Sequence, residues 1–173
     1  MITLEEIKEY FGEECKTFPE VTEVNDRLSE KTKYILYEIG LPSYSGYGGD
    51  YIMLDRLQVI NNRYLKYGTR RGDLAHYSEC IDMFTSEIVF NLNYEGDNDE
   101  YHVLNTDLES SLKYVYVYVR FRAEIKIPQK FGEYYKNHSQ YAKELKRQLL
   151  QINDDVKNET WANLIEEMDL GVI

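Results

Sequence analysis

Between residues 51 and 94 the sequence breaks into short β-prone runs that lie too close together for parallel pairing. The runs cover 51–54 with 58–60, 64–68, 75–81 and 87–94. Turn-forming residues bound each of them: Asn61-Asn62, Arg71-Gly72-Asp73, Phe84-Thr85-Ser86 and Gly96-Asp97-Asn98. A parallel crossover needs about a dozen residues or more, so these runs predict an antiparallel sheet.

Helical patterns flank that block. Thr3 stands before Leu4, Ile7, Tyr10 and Phe11, with Glu6 three residues on, which predicts a capped helix over 3–11. A second helix is predicted over 30–39 from Tyr34, Ile35, Leu36 and Ile39, ended by Gly40 and Pro42. Residues 42–50, rich in Ser, Gly and Tyr, read as a loop. The run 113–119 alternates Tyr and Val and is strongly β-prone. Yet Thr106 and Glu109 form a capping box, Leu108, Leu112, Val115 and Val119 share a helical face, and no turn signal follows for about 20 residues, long for a strand. Helix is the expectation here. Helices are also predicted over 131–152, and over 159–170 with Trp161, Leu164, Ile165 and Met168 facing inward and Gly171 closing. The expected class is α+β: N-terminal helices, a central, mostly antiparallel β-sheet, and C-terminal helices packed on it, in one domain over 1–173.

The formal charge of −11 argues against nucleic-acid binding and against an anionic membrane surface, both of which reward Lys and Arg. It suits a basic protein partner. Cys15 and Cys80 are too few and too far apart for a disulfide framework, which suits a reducing compartment. The first residues lack the basic and apolar regions of a signal peptide, and no apolar run is long enough to span a bilayer. The expected location is the cytoplasm.

Motifs for local catalysis are missing: HExxH, GxxxxGK[ST], GxSxG and GxGxxG do not occur. The glycines around Tyr47 are followed by Asp50 rather than a phosphate-binding cation, so they read as a surface loop. His76 and Cys80 share a strand face about 13 Å apart, and adding His102 does not make a zinc site. The acidic stretch 95–100 lacks calcium-loop spacing. As a turn carrying four carboxylates it would gain from a basic partner. Tyrosine accounts for 17 of the 173 residues. Tyr44, Tyr47 and Tyr51 lie in or beside the glycine loop, where tyrosine serves contact surfaces or packs the loop down.

Several segments, in order, resemble the SUKH superfamily of bacterial immunity proteins, in particular its fourth branch. Residues 32–42, ending Gly40-Leu41-Pro42, are similar to its helix-then-GLP start. Residues 64–68 ending at Gly68, then Ile81-Asp82 with 87–90, resemble its central strands. Residues 103–108 resemble its short strand leading into a capped helix, and 149–154 with Trp161 and 164–167 resemble its C-terminal helix pair. The likeness covers 28–171. Asn153-Asp154 stands where many members have Asp-Pro, and Trp161 where many have two tryptophans. The resemblance implies an α+β immunity protein that blocks a toxin, often a nuclease or deaminase, by direct contact. It implies no cofactor, no metal and no catalytic residues, and it favours helix for 113–119. The contact residues expected from the exposed acidic and aromatic loops are Tyr44, Tyr47, Asp50, Glu95, Asp97, Asp99 and Glu100. The rival expectations are an interaction or scaffold module without a toxin partner, and an enzyme lacking a local motif. Exposed tyrosines also suit a homo-oligomer.

Overall fold

A computed structural model of the chain describes residues 1–46, 49–71, 76–92, 100–126 and 133–173. It is α+β, with five α-helices and a six-stranded antiparallel sheet beside a two-stranded ribbon. The chain divides into two compact units, Met1–Leu112 and Lys113–Ile173. Among the described residues no helix is long and apolar enough to cross a membrane.

In the first unit α1 (Leu4–Phe11) begins where Thr3 accepts the Glu6 N–H at 3.1 Å, the cap its sequence predicts. Leu4 and Ile7 are buried, whereas Tyr10 is exposed. Helix α2 (Glu30–Tyr34) is capped by Ser29 and continues as one wide π-helical turn, Ile35–Ile39, instead of the uniform α-helix expected. The turn closes with the Gly40 N–H on the Ile35 carbonyl at 2.7 Å. Gly40 has φ +88°, and a Cβ there would sit 2.9 Å from the Lys16 carbonyl carbon. Only glycine therefore lets β1 (Cys15–Lys16) pair with β2 (Leu41–Pro42) so close to the helix end.

The large sheet is a meander: β3 (Tyr44–Gly46), β4 (Gly49–Ile60), β5 (Tyr64–Arg71), β6 (His76–Asp82), β7 (Ile88–Leu92) and β8 (Tyr101–Asn105) lie in sequence order. The antiparallel expectation for 51–94 holds among the described residues. The loop expected over 42–50 does not: Tyr44–Gly46 is an edge strand, with Tyr44 opposite Tyr51. Its turn-rich composition hid a strand that gains its hydrogen bonds from β4, a tertiary effect. Asn61 and Asn62, both near φ +50°, make the β4–β5 turn. On one face Leu65 and Ile81 are buried side by side, and Ile88 joins them from β7. On the other face Tyr64, Cys80 and Val89 form a smaller cluster with Ile60 and Tyr101, whose ring stacks on Tyr64 at 3.7 Å.

Helix α3 (Leu108–Lys126) runs through the ambiguous Tyr/Val segment, as expected. At its start Asp107 accepts the Ser110 N–H at 2.7 Å. A carboxylate is a good cap for a helix start, and Glu109 pairs with Lys31 at 2.9 Å. Residues 114–118 are all buried. Alternating Tyr and Val thus fits a helix enclosed on all sides as well as a strand.

In the second unit α4 (Glu133–Leu150) and α5 (Glu159–Asp169) form a hairpin. Ala142, Leu145 and Leu149 of α4 and the four predicted residues of α5 are buried. Tyr114 anchors the hairpin's connection: its hydroxyl donates to the Asn153 carbonyl at 3.0 Å and accepts the Val156 N–H at 2.9 Å. The Trp161 ring lies edge-on to Tyr114 at 5.0 Å and to Tyr118 at 6.3 Å. Gly171, at φ +72°, ends α5 as expected, with Val172 N–H bonded back to the Glu167 carbonyl.

Candidate interaction surface

Pairing places one side chain from each strand of the large sheet in a single row. Directly opposed residues on antiparallel strands share a face, and the register sets Tyr44 opposite Tyr51, Tyr51 opposite Arg70, and Arg70 opposite Tyr77. Phe90, opposite Glu79, and His102, opposite Phe90, continue the same face across β7 and β8. The side chains touch in that order. Tyr44 stacks on Tyr51 at 4.4 Å and 6°. The Arg70 guanidinium lies 5.6 Å from the Tyr51 ring centre and 4.6 Å from that of Tyr77. Tyr77 meets Phe90 edge-on at 6.2 Å, and Phe90 stacks on His102 at 5.3 Å. Tyr51 is buried and the other five are half-buried, so the row offers π faces and one cation on a rigid backbone.

A buried acid lies beside this row. Strand β5 carries one extra residue between the pairs Lys66–Cys80 and Gly68–Glu79, a β-bulge that leaves Tyr67 unpaired. Gly68 gives Glu79 a neighbour without a side chain, and a Cβ there would press on the Met53 methyl at 3.1 Å. Glu79 is 7% exposed. Burial pushes its carboxyl up to about 7, against the opposing pull of Arg70 and a hydrogen bond from Tyr67. The Tyr67 phenol is itself held well above its ordinary value by burial and by the Glu79 charge, while the Ser111 hydroxyl donates to it. Ser111, Tyr67 and Glu79 thus form a donor chain ending on a carboxyl that is half-protonated near neutrality.

At the end of the sheet Phe84 is 70% exposed, and the guanidinium groups of Arg27 and Arg63 lie 5.1 and 5.8 Å from its ring centre. Arg63 is fixed by Asp82 at 2.6 Å, and Arg27 by the side chain and carbonyl of Asn62. This is a second preorganised pairing of arginine with an aromatic ring, a combination enriched at binding hot spots.

A polar cleft of about 820 Å³ lies elsewhere in this unit, lined by Cys15, Lys16, Met53, Asp55 and Arg71 among others. Burial pushes the Cys15 thiol up to about 11 and the Cys80 thiol to about 12. Neither is an activated nucleophile at neutral pH. Glu79 lines neither this cleft nor the one in the second unit described below. Among the described residues no cluster of three His, Cys, Asp or Glu side chains could hold a metal ion.

Of the contact residues expected from sequence, Tyr44 belongs to the row. Asp50 does not: it alternates with Tyr51 onto the opposite face, where it accepts a hydrogen bond from Ser45 at 2.6 Å. Glu100 is exposed, 3.8 Å from His102 at the end of the row. Tyr47, Glu95, Asp97 and Asp99 lie outside the described residues. Sequence reasoning missed Arg70, Tyr77, Phe90 and His102 as parts of one surface, because their union depends on strand register. No family model matches the chain, and neither a curated protein nor a solved structure matches it.

Proposed function

We propose that the protein is an immunity factor that binds a bacterial toxin acting on nucleic acid and blocks it by direct contact. The observation that carries this reading is the unbroken row from Tyr44 to His102, with Arg70 at its centre. Tyrosine and arginine held by neighbouring rings lose little entropy on binding and dominate the energetics of protein interfaces. The net charge of −11 supports the same reading. A toxin that works on phosphate backbones carries a basic cleft, and opposite charge speeds encounter with it. The resemblance of residues 28–171 to immunity proteins points the same way.

The test is co-expression with candidate toxins encoded near this gene, followed by pull-down and a toxin activity assay with and without the protein. A complex that abolishes activity is expected. Arg70→Ala with Tyr77→Ala should weaken it by at least about tenfold, with the far-UV circular dichroism unchanged. A protein that leaves every neighbouring toxin active and unbound would instead be an interaction module with another partner.

A further inference from the structure

The helical hairpin of the second unit carries a groove of about 590 Å³ between α4 and α5. Its floor is apolar and built partly from small side chains: Ala142, Val156, Ala162 and Ile165. Its two walls have opposite charge. Helix α4 supplies Lys143 and Lys146, and α5 supplies Glu166 and Asp169. All four are exposed, and none makes an ion pair with a described residue.

The helices are antiparallel: their connection joins the end of α4 to the start of α5, and Gly171 beyond α5 lies against the His138 ring on α4. Lys143 is thus level with Glu166, while Lys146 and Asp169 lie about one turn from that level in opposite directions. A two-fold axis along such a groove lays α4 of each copy on α5 of the other. It sets Lys143 of one against Glu166 of the other, with Lys146 and Asp169 about one turn to either side, and the reverse contact follows from the symmetry. The crossing helices also run antiparallel, which their dipoles favour. Apolar area for the contact extends beyond the floor: Leu150 follows Lys146 by one turn and is 43% exposed, and Leu170 follows Glu166 by one turn and is 67% exposed.

We infer that this groove is a homodimer interface, occupied by the α4–α5 hairpin of a second copy. An acidic chain that otherwise repels its own copies finds here a surface whose charges complement themselves. The lysine wall matches a carboxylate wall that the same chain provides, so no foreign partner is needed.

The experiment is sedimentation of the full chain over a concentration series, alone and in variants. A dimer is expected, weakening as salt is raised. Lys143→Glu with Lys146→Glu, and separately Glu166→Lys with Asp169→Lys, should each weaken self-association by at least about tenfold. Far-UV circular dichroism checks that each variant folds. Mixing the two variants in equal amounts should restore a dimer, because every contact then joins unlike charges. The fourfold variant carrying both reversals should dimerise by itself for the same reason. A wild-type chain that stays monomeric at all concentrations would overturn the inference, and so would variants that fail to complement each other on mixing.

Discussion

Replacing Glu79 by Gln should remove a pH dependence from the protein's stability. In the native state burial holds the Glu79 carboxyl up to about 7, against a reference value of 4.5. Below the reference value both folded and unfolded chains keep the proton, and burial of the acid carries no electrostatic penalty. As pH rises from there to about 7, the unfolded chain releases a proton that the native chain retains, so stability falls. Above the native value the loss is complete. At 1.36 kcal/mol for each tenfold step, the displacement corresponds to about 3 kcal/mol. Glutamine keeps a carbonyl acceptor for the Tyr67 hydroxyl but has no proton to lose. Its amide N–H groups need partners, a cost of about 1 kcal/mol that does not vary with pH. The variant should therefore be slightly less stable than wild type in mild acid and about 2 kcal/mol more stable in mild alkali. Urea unfolding followed by far-UV circular dichroism at a series of pH values measures both curves. Their difference isolates Glu79, because every other titrating group is present in both proteins. Parallel curves through neutrality would refute the reasoning, since they would mean that Glu79 binds protons equally in the folded and unfolded chains.

Three further substitutions probe the scaffold. Tyr114→Phe leaves the ring against Trp161 but removes the hydroxyl that serves both the Asn153 carbonyl and the Val156 N–H; it should cost about 1–3 kcal/mol in urea unfolding. Gly40→Ala combines a positive φ with a Cβ 2.9 Å from the Lys16 backbone, whereas Gly12→Ala meets a positive φ and open space. The first should cost about 2 kcal/mol more than the second in matched thermal melts, and equal losses would show that the β1–β2 ribbon yields at little cost.

The fold was legible where local chemistry and tertiary packing agree. The caps at Thr3 and Gly171, the buried face of Trp161, Leu164, Ile165 and Met168, and the antiparallel strands all follow from spacing and turn residues. Legibility failed where a partner element supplies what the local sequence lacks. Tyr44–Gly46 is a strand because β4 pairs with it. The π turn over Ile35–Ile39 has no composition of its own: a wide turn and an α-turn present nearly the same apolar residues, and only the closing bond from Gly40 separates them.

The row was hidden for a different reason, which lies in β5. With regular pairing from Lys66–Cys80 onward, Tyr67 would face Glu79, Thr69 would face Tyr77 and Arg70 would face His76. Side chains alternate along a strand, so Arg70 would then point to the face of Lys66 and Cys80, away from Tyr51 and Tyr77. The single extra residue at Tyr67 reverses this. It moves Gly68 opposite Glu79 and Arg70 opposite Tyr77, which closes the row at its centre. It also leaves Tyr67 to reach the carboxyl that Gly68 leaves uncovered. One insertion thus sets both the cation in the row and the buried acid next to it. The sequence does mark the spot, since a lone glycine inside a β-prone run signals a bulge as readily as a strand end. Read as a strand end, Gly68 separates Arg70 from the strand; read as a bulge, it places Arg70 among the rings.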